Sequence, residues 1–362
     1  MPGPTTVVAY AVCMTDTMLD GLRAIPGGVW RTYLAPDAKV LFESINKNAC
    51  TSLKWMMADL AGEDLAQFRA ARKPHIDDSE VVHNRELWTA SPRLDALSPE
   101  ERADIRPDNG WFIFAVVRDP RLRLFSAWQN KLLVESPHGY EWRNKAWYPR
   151  HPLTKETVIE DFARFVRKIE AKPTMRLRAT DPHFRDQVEL LAEDVIPYTK
   201  IYDITELKQL KKDLSEHLDK AGQPRELYVP RANPTPLRAI SDVFADGIRE
   251  AIERIYAADF DRFGDMWDFS RVESAPVWTD TELLTCENEA MLGRRISELH
   301  NLVRAEREKT DEAEASVEQL SKETDALSRK VSSIEEELAR RPLPSVKKPN
   351  WFSRSARKLL RG

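Results

Sequence analysis

The chain has 362 residues, 42% of them hydrophobic and 31% charged, enough to bury one substantial core and to carry an extended segment besides. A formal charge of −4 and a pI near 6.1 give no polyanion-binding signature, so nucleic acid is not an expected partner. Three widely spaced cysteines, Cys13, Cys50 and Cys286, fit neither a disulfide framework nor a paired zinc site and read as free thiols in a reducing compartment.

Near the start, TTVVAYAVCM is apolar but lacks a basic flank, and no run of about 18 apolar residues follows it, so a cytoplasmic location is expected. Residues 1–37 read as an N-terminal extension. A globular part follows over 38–269, with strands expected at 39–43, 111–117 and 198–202, each leading through a turn into a helical pattern. That alternation predicts an α/β fold, a parallel sheet flanked by helices with its ligand at the carboxyl ends of the strands.

The first strand runs into INKNACTSLK, residues 45–54. A turn from strand to helix presents backbone N–H groups and the helix dipole to an anion, and here Lys47 adds a charge and Thr51 and Ser52 add hydroxyls. With no glycine and no Gly-Lys-Ser/Thr sequence it is not a Walker loop, and read alone it is more simply an ordinary capped junction. The second strand ends in VVRDPRLRLFSAW, residues 116–128. Arg118 falls at its carboxyl end, Asp119 and Pro120 supply an N-cap and a first helical residue, and Arg123 and Ser126 share one side of the helix. An arginine and a hydroxyl so placed suit a second phosphate. Further on, YEWRNKAWYPRHP at 140–152 carries Trp142, Arg143, Lys145 and Trp147, a composition suited to stacking on sugars or to anchoring a surface loop.

After a linker expected over 270–290 the pattern becomes a heptad. With Leu292 at d, positions a are Ile296, Val303, Thr310, Val317, Thr324, Val331 and Leu338, and positions d are Leu299, Glu306, Ala313, Leu320, Leu327 and Ile334. β-Branched residues at a with leucine at d favour a parallel two-stranded coiled coil over 291–341, hence a homodimer, with a lone charged helix as the alternative. The tail, 342–362, is basic and carries Trp351, Phe352, Leu359 and Leu360. It reads either as a short amphipathic helix on the anionic inner face of a membrane or as a disordered solvated end.

Taken together, INKNACTSLK and VVRDPRLRLFSAW resemble the 5′-phosphosulfate loop and the 3′-phosphate motif of the family 2 sulfotransferases, which include the Golgi carbohydrate sulfotransferases and many bacterial relatives. VVHNRELW at 81–88, DPHFRDQVELL at 181–191, YTKIYDITEL at 198–207, PRANPTP at 230–236 and YAADFDRFG at 256–264 follow in the family's order. The resemblance spans roughly 38–268 and implies a P-loop-like fold. Asn46 stands where the family usually has proline, and the membrane anchor and paired cysteines of the Golgi members are lacking, as in a bacterial cytoplasmic enzyme.

The resemblance implies 3′-phosphoadenosine 5′-phosphosulfate as donor, a hydroxyl on a carbohydrate or glycolipid as acceptor, and no metal. Lys47 and the backbone of Asn48, Ala49, Cys50, Thr51 and Ser52 would stabilise the leaving 5′-phosphate, and Arg118 and Ser126 would hold the 3′-phosphate. Of seven histidines, His83 is the first candidate for the base and His183 the second. Asp181, Arg185 and Gln187 would orient the acceptor or brace the pocket, and Arg231 and Asn233 would cover the donor. The competing readings are a scaffold that keeps the fold without activity and works through its coiled coil, and a nucleotide-dependent kinase, which the absent Walker sequence opposes.

Overall fold

In the computed structural model, which describes residues 17–25, 27–71, 80–134, 141–232 and 235–341, four strands form one sheet. They lie in the order β1 (Thr32–Ala35), β2 (Val40–Glu43), β3 (Phe112–Val117) and β4 (Lys200–Asp203). β2, β3 and β4 are parallel, with Val40 opposite Phe112 and Phe114 opposite Lys200. β1 pairs antiparallel with β2 and lies inside the segment read from sequence as an extension.

Strand alternation sets the layers. Val40, Phe42, Phe112, Phe114 and Val116 pack with Leu53, Met56 and Met57 of the helix Cys50–Ala61 and with Leu210, Leu214 and Leu218 of the helix Leu207–Lys220. Phe42 and Phe114 stack with ring centroids 5.0 Å apart. On the other face, Leu41 and Ile113 meet Leu19 and Leu22 of the helix Thr17–Ala24, and Ala115 and Val117 meet Ile45, Leu190 and Phe263. A parallel sheet needs both faces covered in this way, and it leaves only its ends open to a ligand.

A further core joins the helices Pro120–Trp128, Lys155–Ala171 and Ile248–Ile255 around Phe125, Trp128 and Phe162. Trp147 is buried in it, Trp142 packs at its margin, and Arg143 pairs with Glu298 at 3.2 Å. The described part of the 140–152 insert is thus an anchored loop rather than an open stacking platform.

The chain divides into two units, 1–300 and 301–362, and the helix Asp280–Arg340 contributes to both. In the first unit Leu283 and Cys286 are buried in the same core as Phe125, Ala290 is buried one turn further on, and Glu287 accepts from the Leu153 N–H at 2.6 Å. The stretch 270–290, expected as a linker, therefore holds the short helix Ser270–Glu273 and the opening turns of the long helix. In the second unit residues 301–340 are helical, and Val303, Val317, Leu320, Leu327, Val331, Ile334 and Leu338 are all exposed. The basic tail, 342–362, lies outside the described residues, among which no helix is long and apolar enough to cross a membrane. Cys50 and Cys286 are free thiols.

Candidate active site

The loop between β2 and the helix Cys50–Ala61 has two non-glycine residues in the left-handed region, Lys47 at φ 68° and Ala49 at φ 57°. Each costs on the order of 1 kcal/mol, so the surroundings must hold the loop in place. The buried Asn48 does so from inside, its Nδ2 donating to Val116 O at 2.9 Å and to Gln187 Oε1 at 2.7 Å. Arg123 Nε donates to Asn46 O at 3.0 Å, and an Arg118 Nη donates to Lys47 O at 3.1 Å. The left-handed residues turn successive N–H groups to one side. Ala49 offers no side-chain cap, and no described residue accepts from the N–H of Asn48, Ala49, Cys50, Thr51 or Ser52. The result is an open cradle of donors at a helix N-terminus.

Arg118 stands at the carboxyl end of β3, and Asp119 caps the next helix by accepting from the Arg121 N–H at 2.9 Å. Gln187 holds this corner: its Oε1 accepts from the Arg118 N–H at 3.0 Å, and its Nε2 donates to Arg118 O at 2.8 Å and to Asp259 Oδ2 at 3.2 Å. Arg123 is a brace, its buried guanidinium spent on the carbonyls of Asn46, Arg185 and Pro182. Ser126 Oγ lies 2.9 Å from Thr235 Oγ1, and Ser52 Oγ accepts from the Ala232 N–H at 3.3 Å. The described flanks of the 230–236 segment are thereby moored to both motifs. Arg231 is exposed there, and Asn233 lies outside the described residues.

The two candidate histidines differ in what their nitrogens do. His83 Nδ1 lies 3.0 Å from Lys54 Nζ and its Nε2 3.0 Å from Thr51 Oγ1. An ammonium only donates, so Nδ1 accepts and Nε2–H is given to Thr51. The protein packed behind the ring, then Lys54, Lys131, His183 and Lys47, push its pKa well below 6.5. His183 Nδ1 lies 2.6 Å from Asp181 Oδ1, and its Nε2 3.1 Å from Asn46 Nδ2. There Nδ1–H is donated to the carboxylate, and Nε2, unprotonated and turned toward the loop, accepts from Asn46 Nδ2. Burial, then Lys131, drive the His183 pKa down to about 3.

Burial also lowers Lys47 to about 8, with Lys131 and Arg118 adding to the shift, and lowers Arg118 to about 10. Lys131, which the sequence reading passed over, lies in the π-helical turn Gln129–Leu133 that continues the helix Pro120–Trp128. No hydrogen bond or ion pair joins it to another described residue. The site as a whole is rich in cations and N–H donors around two neutral imidazoles, a donor set that suits a polyanion carrying more than one phosphate-like group. Among the described residues no His, Cys, Asp and Glu cluster has the makings of a metal site.

A parallel α/β sheet with this cradle at its carboxyl edge defines a protein of the class that binds phosphate-type anions between strand and helix. The model of the Sulfotransferase family matches residues 30–264, and the chain belongs to that family, whose general function is sulfuryl transfer. No curated protein and no solved structure matches the chain.

Proposed function

We propose that the protein transfers the sulfuryl group of 3′-phosphoadenosine 5′-phosphosulfate to a hydroxyl of a carbohydrate or glycolipid. One observation carries this reading: the open cradle bearing Lys47 sits against an imidazole that Asp181 anchors through Nδ1 and that keeps Nε2 unprotonated.

The donor supplies an activated sulfur whose bridging oxygen leaves as a phosphate. Lys47 and the N–H groups of residues 48–52 bind that 5′-phosphate and stabilise the charge that builds on it. Arg118 and Ser126 bind the 3′-phosphate, with Thr235 beside Ser126. His183 takes the acceptor proton on Nε2, and Asp181 steadies the resulting imidazolium. His83, its Nδ1 accepting from Lys54 and its Nε2–H given to Thr51, orients those two side chains. This reverses the sequence-based order of the two histidines, because the unprotonated nitrogen of His183 accepts only from the neutral Asn46 amide, whereas that of His83 accepts from the Lys54 ammonium. The exposed heptad positions from Val303 to Leu338 support a homodimer through a second copy of the chain, and the basic composition of 342–362 supports contact with an anionic inner membrane face.

Calorimetry with adenosine 3′,5′-bisphosphate and AMP tests the donor reading. One charge-assisted contact is worth about 1.5–3 kcal/mol, so the bisphosphate should bind roughly 10- to 100-fold more tightly. Equal affinities would remove Arg118 and Ser126 from donor recognition.

A further inference from the structure

Thr51 and Lys54 lie three positions apart on the helix Cys50–Ala61, so both side chains leave it on one side, and both reach the same imidazole. His83 Nε2 lies 3.0 Å from Thr51 Oγ1, and its Nδ1 lies 3.0 Å from Lys54 Nζ. The ring is brought there by the short turn Val81–His83, in which Val81 and Val82 are buried. The His83 N–H donates to Glu80 O at 3.0 Å, and Trp88 Nε1 donates to Val82 O at 3.0 Å, which fixes the turn. Thr51 and Lys54 are themselves buried. The Lys54 ammonium also lies 5.0 Å from the centroid of the Tyr33 ring, a cation–π contact that steadies it without using a proton. Among the described residues no carboxylate pairs with Lys54, and the Thr51 hydroxyl has no hydrogen bond except the one to His83.

These contacts run in one direction. An ammonium has protons and no lone pair, so Nδ1 must accept from Lys54. A neutral imidazole carries a single proton, which then sits on Nε2. The reverse bond, from the Thr51 hydroxyl to Nε2, would require a ring with no proton at all. Thr51 Oγ1 therefore accepts, and its own proton has no acceptor among the described residues. Thr51 stands in the first turn of its helix, beside cradle N–H groups that also lack acceptors. Hydrogen bonds in a chain that starts at a charge polarise one another, so this hydroxyl is a stronger donor than that of an isolated threonine.

We propose that Lys54 and His83 form a one-way hydrogen-bond relay that commits the Thr51 hydroxyl to donate to a non-bridging oxygen of the donor's 5′-phosphate. The proposal rests on the donor reading above. No proton is transferred along the relay. It sets the direction in which Thr51 donates, and Lys54 and His83 are positioning residues that act through that hydroxyl. A free hydroxyl could turn its lone pair to the ligand instead, whereas the relay turns its proton there and so favours an unprotonated phosphate oxygen.

The test measures binding of adenosine 3′,5′-bisphosphate and of adenosine 3′-monophosphate, which lacks the 5′-phosphate, to the full chain. Thr51→Val, His83→Ala and Lys54→Met should each weaken bisphosphate binding, the first two by about 10-fold, and should leave the monophosphate within about two-fold of wild type. Adding His83→Ala to Thr51→Val should cost no more than about two-fold further, since the ring acts only through the hydroxyl. His83→Gln, whose amide can accept from Lys54 and donate to Thr51 but does not titrate, should recover most of the binding and turnover lost in His83→Ala. Losses that multiply to about 100-fold in the double variant would overturn the proposal. So would wild-type affinity in Lys54→Met, or equal weakening of both nucleotides. A His83→Gln chain that binds the bisphosphate normally yet turns over no faster than His83→Ala would also overturn it, because the ring would then be moving a proton. If His83→Ala does not fold, Lys54→Met and Thr51→Val close the same cycle. Failure of the donor reading itself would be distinct, since wild-type protein would then bind the two nucleotides equally or not at all.

Discussion

His183 Nδ1 lies 2.6 Å from Asp181 Oδ1, while Nε2 of the same ring faces the phosphate loop across Asn46. The carboxylate fixes the tautomer, so the nitrogen beside the cradle is the one able to accept a proton. Asp181→Ala should abolish that preference, because no carboxylate then holds the ring proton on Nδ1. Turnover should drop about 100-fold or more, with bisphosphate affinity within about two-fold of wild type. His183→Ala should do the same, and His83→Ala should cost less. Near-normal turnover in His183→Ala would return the role of base to His83.

The pH profile of kcat/KM should carry an unusual signature. With its pKa near 3, His183 is already neutral at pH 5, so the free enzyme should show no acid limb at 6–7. Lys47, lowered to about 8, is charged below that pH and neutral above it, so activity should fall as pH rises through about 8. Lys47→Arg should be slower but should lack this limb, since a guanidinium stays charged. A limb that persists in the arginine variant belongs to another group.

Much of this site was legible because its parts are local. Asp119 and Pro120 mark a helix start in any context, and a lysine-bearing turn between an apolar run and a helix is visible in ten residues. Three strands were readable for the same reason. β1 was not: Thr32–Ala35 is four residues long and earns its place by antiparallel pairing with β2, a tertiary fact. Lys131 was missed because α-helical spacing does not group it with Arg118 and Ser126, and only the π turn changes its face. Arg123 read as a phosphate ligand because sequence shows its charge and not the three carbonyls that consume it. The opening of the long helix read as a linker because its buried residues, Leu283, Cys286, Ala290 and Ser297, occupy a different face from the heptad that begins at Leu292.

That packing has a consequence for truncation. Leu283 is buried in the core, so Leu283→Ala should destabilise the catalytic unit by about 2–5 kcal/mol in denaturant unfolding. A chain ending near Val277 would lose the whole buried stripe and should fail to fold, whereas one ending after His300 should fold and act on a soluble acceptor. The full chain should be a dimer by light scattering, with a stalk of roughly 70 Å at 1.5 Å per residue, and the 1–300 chain a monomer. A monomeric full chain would leave the exposed heptad without its partner copy.

Glu43 gives a stability test independent of catalysis. It is fully buried, with Oε1 3.0 Å from Arg31 Nε and Oε2 unsatisfied, and burial raises its pKa to about 7 despite Arg31. A raised carboxyl pKa means the folded chain holds the proton more tightly than the unfolded one. This contribution is therefore full below about pH 4.5 and declines as pH rises through 7. Glu43→Gln should flatten that part of the curve of unfolding free energy against pH. An unaltered slope would show that Glu43 is ionised in the fold.

The central claim is transfer itself. Full-length protein incubated with sulfate-labelled 3′-phosphoadenosine 5′-phosphosulfate and a panel of oligosaccharides and glycolipids should move label onto at least one hydroxyl-bearing acceptor. The same reaction should fall to background in Lys47→Ala, whose loss acts on the leaving phosphate. Label transferred equally by wild type and Lys47→Ala, or bisphosphate bound tightly with no label transferred to any member of a broad panel, would contradict the account and favour a fold retained for binding alone.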